Sequence, residues 1–249
     1  MSLQRVMGAF LLTAILSLNL AASPADDLQS ASKAGQVALV LVTEPGAADV
    51  GEAKQIIQNA QKQIKRKPVL VELNRADDAN APLVAQYRLS GAPVPLILVF
   101  ASNGALAGGM PAAQATSEQL IKMIPTPKKA EVLKALQSGQ SVFLTASRKG
   151  MATKSEVLGA CALACGQMRG KSISIQIDMD DSAELPFLTD LRINPQSPEP
   201  VTVVINAGGQ VTGSFSGAVA VGGLVQAATK TVGGCCPSGS GKSCGPTKK

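Results

Sequence analysis

The residues best able to do chemistry are five cysteines, in two groups: Cys161 and Cys165 in CALAC, and Cys235, Cys236 and Cys244 in the closing GGCCPSGSGKSCGPTKK. Histidine is absent from all 249 residues. That excludes imidazole acid–base catalysis, Ser-His and Cys-His nucleophile pairs and imidazole metal ligands, so chemistry must rest on Cys, Lys or carboxylates. Cys235, Cys236 and Cys244 sit among Gly, Ser and Pro with Lys242, Lys248 and Lys249 and no acidic residue, the composition of a flexible tail. Three close thiolates suit a soft ion such as Cu(I), or Zn with a fourth ligand from elsewhere. A disulfide from Cys244 to Cys235 or Cys236 is the reading weighed against it, and the odd thiol is then left for an intermolecular bridge.

Two other patterns invite chemistry and carry less. SGSGKS has the ring of a phosphate-cradling loop, but Cys236 stands where the first glycine is required and no strand leads in. Asp178, Asp180 and Asp181 in DMDD read as a solvated strand-to-helix loop rather than a hydrolase centre. In CALAC the i, i+4 spacing sets Cys161 and Cys165 on adjacent helical turns, where an intrahelical disulfide is strained. Core filling is therefore weighed against a redox or metal pair there.

The elements that must position these residues follow from composition. Hydrophobic residues make up 45 % of the chain and aromatics 2 %, so the core is built from Val, Leu, Ile and Ala. The net charge of +6 is spread thinly, without the basic clusters and stacking aromatics of a nucleic-acid surface, so no nucleic-acid partner is expected. MSLQRVMGAFLLTAILSLNLAASPADD reads as a secretory signal peptide, with Arg5, an apolar run to Leu20 and small residues; cleavage after Ala25 fits best and Ala22 is the other option. The expectation is an exported protein, periplasmic or extracellular, with no membrane span in the mature chain.

The two halves match at an offset of 104 residues. Gly35-Gln36 meets Gly139-Gln140, Asp77 meets Asp181, Ala79 meets Ala183, Pro82 meets Pro186 and Arg88 meets Arg192; one inserted residue later Pro95 meets Pro200. In each half VALVLVT or SVFLTAS reads as a buried strand, followed by a helix that Asp49 with Glu52, or Thr153 with Glu156, opens as a capping box. VLVELN and ISIQID follow as second strands, then short helices, third strands entered at the prolines, hairpins into fourth strands and a closing helix. Between the halves, PTPKKAEVLKALQSGQ reads as a linking helix capped by Thr126, with Pro127 at its first position and Gly139 as its stop.

This order of elements resembles the thioredoxin fold, most specifically in YRLSGAPVPLILVFASNG, and the resemblance covers nearly all of residues 35–232. It implies an α/β chain of two tandem thioredoxin-like domains, each a central mixed sheet flanked by helices: a signal peptide over 1–25, domains over 26–126 and 139–232, a linker helix over 127–138 and a tail over 233–249. It also makes Pro95 and Pro200 candidates for the family's cis-proline. The family's chemistry needs a Cys-x-x-Cys pair at the start of the first helix after the first strand; here those stretches are TEPGAAD and SRKGMAT, without cysteine. The family's buried acidic residue is likewise unmatched in the apolar first strand. The chain therefore resembles the non-catalytic domains of protein disulfide isomerases, which implies binding of another exported protein rather than dithiol exchange. The competing expectation is a soft-metal or thiol-redox carrier that uses the tail cysteines.

Overall fold

The computed structural model describes residues 23–231, and over them the chain builds one arrangement twice. The first half runs α1 (Pro24–Lys33), β1 (Ala38–Thr43), α2 (Val50–Gln63), β2 (Val69–Asn74), α3 (Ala81–Gln86), β3 (Leu96–Phe100), β4 (Leu106–Pro111) and α4 (Ser117–Met123). The second runs α5 (Pro127–Gln137), β5 (Ser141–Ser147), α6 (Lys154–Gln167), β6 (Ser172–Asp178), α7 (Leu185–Asp190), β7 (Val201–Ile205), β8 (Val211–Ser216) and α8 (Val221–Thr229). Strand orders are β2-β1-β3-β4 and β6-β5-β7-β8, the first pair parallel and the others antiparallel. Each half is a thioredoxin-like domain.

Burial explains the composition of the central strands. All seven residues of β5, and all of β1 except Thr43, are buried, because helices cover both faces of each sheet. In the first domain α1 and α3 supply Ala31, Leu28 and Val84 to one face, while α2 and α4 supply Ile57, Ala60 and Leu120 to the other. The second repeats this with Ala135 and Leu188 on one face and Cys161, Ala164 and Leu224 on the other.

The repeated residues mark places where the backbone does something specific. Arg88 and Arg192 both take left-handed dihedrals, φ 54 and 57, just past α3 and α7. The next amides, Leu89 and Ile193, then bond back to Val84 and Leu188 in a Schellman closure. Gly35 and Gly139 end α1 and α5 the same way, with φ 62 and 73 and the Gln36 and Gln140 amides on Ala31 and Ala135. Asp77 and Asp181 each accept the amide two residues on, at Ala79 and Ala183.

The expected capping boxes on α2 and α6 do not form. Asp49 is left-handed (φ 60, ψ 17) and Thr153 sits near φ −89, ψ 1, whereas a side chain reaches the third amide from an extended cap. Carbonyls of Asp49 and Thr153 close the first turns instead, onto Ala53 and Val157. True capping boxes open α1, at Ser23 with Asp26, and α4, at Thr116 with Gln119.

The helix read as a linker is the second domain's counterpart of α1. Its Val132 and Ala135 enter the core beside Val142 and Ile175, as Ala31 enters the first. Glu184, at 1 % exposure, ties it down by accepting the Lys128 amide at 2.8 Å. The opposite side of α5 serves the first domain: Ala130 and Leu133 pack on Ala101 and Ala105 at the β3–β4 hairpin. Gln137 also pairs with edge strand β4, its Nε2 donating to the Leu106 carbonyl at 2.7 Å while its Oε1 accepts the Leu106 amide at 3.0 Å. One helix thus belongs to two packing systems. We predict that Ala130→Glu, which drives a charge into this contact, costs about 2–3 kcal/mol and splits a single calorimetric unfolding transition into two, while Gln137→Ala costs about 1 kcal/mol.

Candidate functional site

The loop after the first strand, the amino terminus of the following helix and the proline entering the third strand come together in the first domain. These are Glu44–Asp49, the start of α2 and Pro95. The Val94–Pro95 peptide is the one cis bond among the described residues. Pro95 accepts the Ala112 amide at 2.8 Å, which joins the strand entry to the end of β4. A groove of about 210 Å³ opens there, lined by Asp49, Glu52, Ala53, Pro95, Ala112 and Ala113. Asp49 and Glu52 are exposed, so two carboxylates flank an otherwise small, apolar floor.

An arginine braces the loop that carries the proline. Arg75, at the end of β2, donates to the carbonyls of Leu89 (3.0 Å) and Ala92 (2.6 Å), and Glu44 holds it at 2.6–2.8 Å. The second domain keeps the brace and moves the arginine: Arg148, at the position of Glu44, donates to the Ser197 carbonyl at 2.6 Å. Its partner position holds buried Met179. Pro200 corrects the cis expectation, because Glu199–Pro200 is trans. The loop before it is one residue longer than the one before Pro95 and is tied internally, with Ser197 Oγ bonded to the Glu199 carbonyl at 2.8 Å. With that length and anchoring the ordinary trans bond meets the strand. Pro200 is buried, whereas Pro95 remains half exposed beside its groove. The two candidate prolines therefore lie in different settings, and sequence pattern alone could not separate them.

Cys161 lies in the core under α6 at 0 % exposure, and Cys165 is half-buried; both are free thiols. Cys161 Sγ lies 3.5 Å from Thr145 Oγ1, which lies 3.3 Å from Thr202 Oγ1, and both threonines are fully buried. The repeat shows what is unusual here. The matching positions in the first domain are Ile57, Leu41 and Ile97, all at 0 % exposure in one apolar cluster. The second domain has exchanged an apolar triad for two hydroxyls and a thiol that satisfy one another. Aligning the halves residue by residue would have found this cluster; a search for motifs could not. Burial pushes the Cys161 thiol upward, against smaller opposing effects of hydrogen bonds from Thr145 and Thr202. The site suits packing and not nucleophilic attack, which needs thiolate.

Cys235, Cys236 and Cys244 lie outside the described residues. Among the described residues no three His, Cys, Asp or Glu side chains are grouped to hold a metal, and no helix is long and apolar enough to cross a membrane. Asp178 and Asp181 of DMDD accept amides of their own loop, those of Asp180 and Ala183.

Two predictions follow from the triad. A folded thiol held above its unfolded value adds stability that is complete below the unfolded value near 9 and fades as pH rises through the folded one; Cys161→Val should flatten that alkaline loss in denaturant melts. Thr202→Val alone should cost about 1–3 kcal/mol by leaving the buried Thr145 hydroxyl with only the weak Cys161 sulfur as partner, while Thr145→Val with Thr202→Val recovers most of it.

No protein-family model matches the sequence, and no curated protein matches it. Solved structures similar in fold include the first two thioredoxin domains of Naumovozyma dairenensis Eps1p, at 12% identity over 83% of this chain and 96% of that one, with a TM-score of 0.33. The zinc-bound form of human ERp44 is 12% identical over 80% of this chain and 53% of its own, with a TM-score of 0.35. The amino-terminal domain of alkylhydroperoxide reductase AhpF from Enterococcus faecalis is 13% identical over 81% and 97%, with a TM-score of 0.28. The strand orders and helix placement of the two halves make the chain a tandem pair of thioredoxin-like domains.

Proposed function

We propose that this chain is an exported, non-catalytic binding protein that holds an extended segment of another protein in the groove beside Pro95. The observation that carries this reading is the pairing of an open groove with a thiol-free helix start: the strand entry and the α2 amino terminus are kept, TEPGAAD has no cysteine where a thiol pair would be needed, and Asp49 and Glu52 line the groove. An extended segment can lie across such an entry by main-chain hydrogen bonds, with side-chain fit supplying selectivity. Two exposed carboxylates favour a neutral or basic segment over an acidic one.

The test is fluorescence anisotropy with labelled extended peptides of matched length. Basic peptides should bind more tightly than acidic ones and more weakly as salt rises, and Asp49→Lys with Glu52→Lys should weaken the basic peptide about three- to tenfold. A double variant that binds every peptide as the wild type does, with the same preference for basic ones, would remove the groove from the reading. Dithiol reductase or oxidase turnover lost on replacing Cys161 or Cys165 would overturn the non-catalytic part.

Export rests on the composition of residues 1–25. Processing after Ala22 leaves the Ser23–Asp26 capping box of α1 intact, and processing after Ala25 removes the Ser23 cap, worth about 1 kcal/mol. The intact mass of the exported protein decides between them. Three cysteines within the last fifteen residues favour one second reading, a tail that carries Cu(I) or bridges to a partner by disulfide. Intact mass without reductant and thiol titration with and without Cu(I) separate these roles, and tail thiols already bonded in pairs that bind no metal end the carrier reading.

A further inference from the structure

The two domains manage their outer sheet edges differently. In the first domain, β4 is protected: Gln137 satisfies the amide and carbonyl of Leu106, Pro111 has no amide to offer, and Met123 fills the space beside Gly108. In the second, β8 is an edge with neither charge nor proline, and Val211 on it is 56% exposed. Ala227 replaces Met123, and a groove of about 580 Å³ remains between β8 and α8, lined by Thr212, Phe215, Gly223, Gln226 and Ala227, with Lys230 at the end of the helix. Edges of this kind are ordinarily blunted, because their open amides and carbonyls template further pairing.

The character of the surface narrows what can cover it. Residues 201–229 contain no charged side chain, although the chain carries a net charge of +6. Two copies repel wherever like-charged surfaces meet, and the β8–α8 side brings few charges to such a meeting: Lys230 at the end of α8, and Glu199, which accepts from Ser216 Oγ at 3.3 Å. Head-to-tail stacking is closed off. The hairpin end that docks on α5 through Ala101 and Ala105 becomes Asn206 and Gln210 in the second domain, and these bond each other and the Lys230 carbonyl. The α5 residues that receive it, Ala130 and Leu133, become Asp26 and Gln29 on α1. What remains is an isologous contact, in which the same strand serves both copies.

We infer that β8 and α8 form a two-fold interface between two copies of this chain, with the β8 strands paired antiparallel into one eight-stranded sheet. Pairing centred between Gly213 and Ser214 sets Phe215 opposite Thr212 of the second copy. At 3.4 Å per residue the strand is roughly 20 Å long, and with α8 beside it the face offers on the order of 500–800 Å² per copy, at the lower end of standard interfaces.

The test is sedimentation velocity of the full exported chain in reducing buffer, with hydrogen exchange of β8. Wild type should sediment as two copies at tens of micromolar, with β8 amides protected more as concentration rises. Val211→Lys with Ser214→Lys, two edge positions with exposed side chains, should raise the dissociation constant more than tenfold and leave circular dichroism unchanged. Leu163→Lys, on the outer side of α6, should leave the dimer intact. A wild type that stays monomeric to 200 μM overturns the inference, whether its β8 amides are open or are protected by the chain's own residues beyond 231. A dimer that appears only without reductant, or that Leu163→Lys dissolves and the β8 variant does not, overturns it as well.

Discussion

The double burial of α5 is the contact on which the arrangement of this molecule depends. A helix covering one sheet ordinarily shows the solvent its other side. Here that other side carries Ala130 and Leu133, which sit on the hairpin of the preceding domain, and Gln137, which completes the hydrogen bonding of its edge strand. The helix supplies Val132 and Ala135 to the second core and covers the first domain's hairpin end at Ala101 and Ala105. Glu184 reinforces the point from below, spending a buried carboxylate on the first turn of that helix. One of its oxygens finds no partner among the described residues, a cost accepted at a position where the first domain has Asn80, bonded to the Asn74 carbonyl.

Much of the fold was legible because the repeated residues are those whose backbone geometry few other choices satisfy. Gly139 after α5, Arg192 after α7 and Asp181 in its loop repeat their partners since each closes a helix or a turn. An uninterrupted apolar run announced β1 and a largely apolar one, broken by Thr145, announced β5, as strands buried on both faces tend to read. The capping boxes were misread because spacing reports which residues are near and not whether the cap is extended, and Asp49 is left-handed. The role of α5 was missed because an amphipathic helix between two domains looks the same whether it spans a gap or packs on both.

The candidate site was legible only in outline. Pro95 and Pro200 align in sequence, yet the bonds, burial and bracing around them differ, and the arginine has crossed from the end of one strand to the end of another. Such exchanges preserve an interaction while erasing it from any column-by-column comparison. The domains have diverged with a pattern: the first keeps an open groove over an apolar interior, and the second closes its proline loop while placing hydroxyls and a thiol inside.

The near absence of aromatic rings has an optical consequence. With no tryptophan and a single tyrosine, the chain absorbs weakly at 280 nm, and that tyrosine is Tyr87, half-buried in the first domain and edge-on to Phe100 at 5.2 Å. Its emission therefore reports only one half of the molecule. The second domain, whose rings are all phenylalanine, is dark to the same measurement, so the tyrosine signal of this protein resolves one domain by residue chemistry alone.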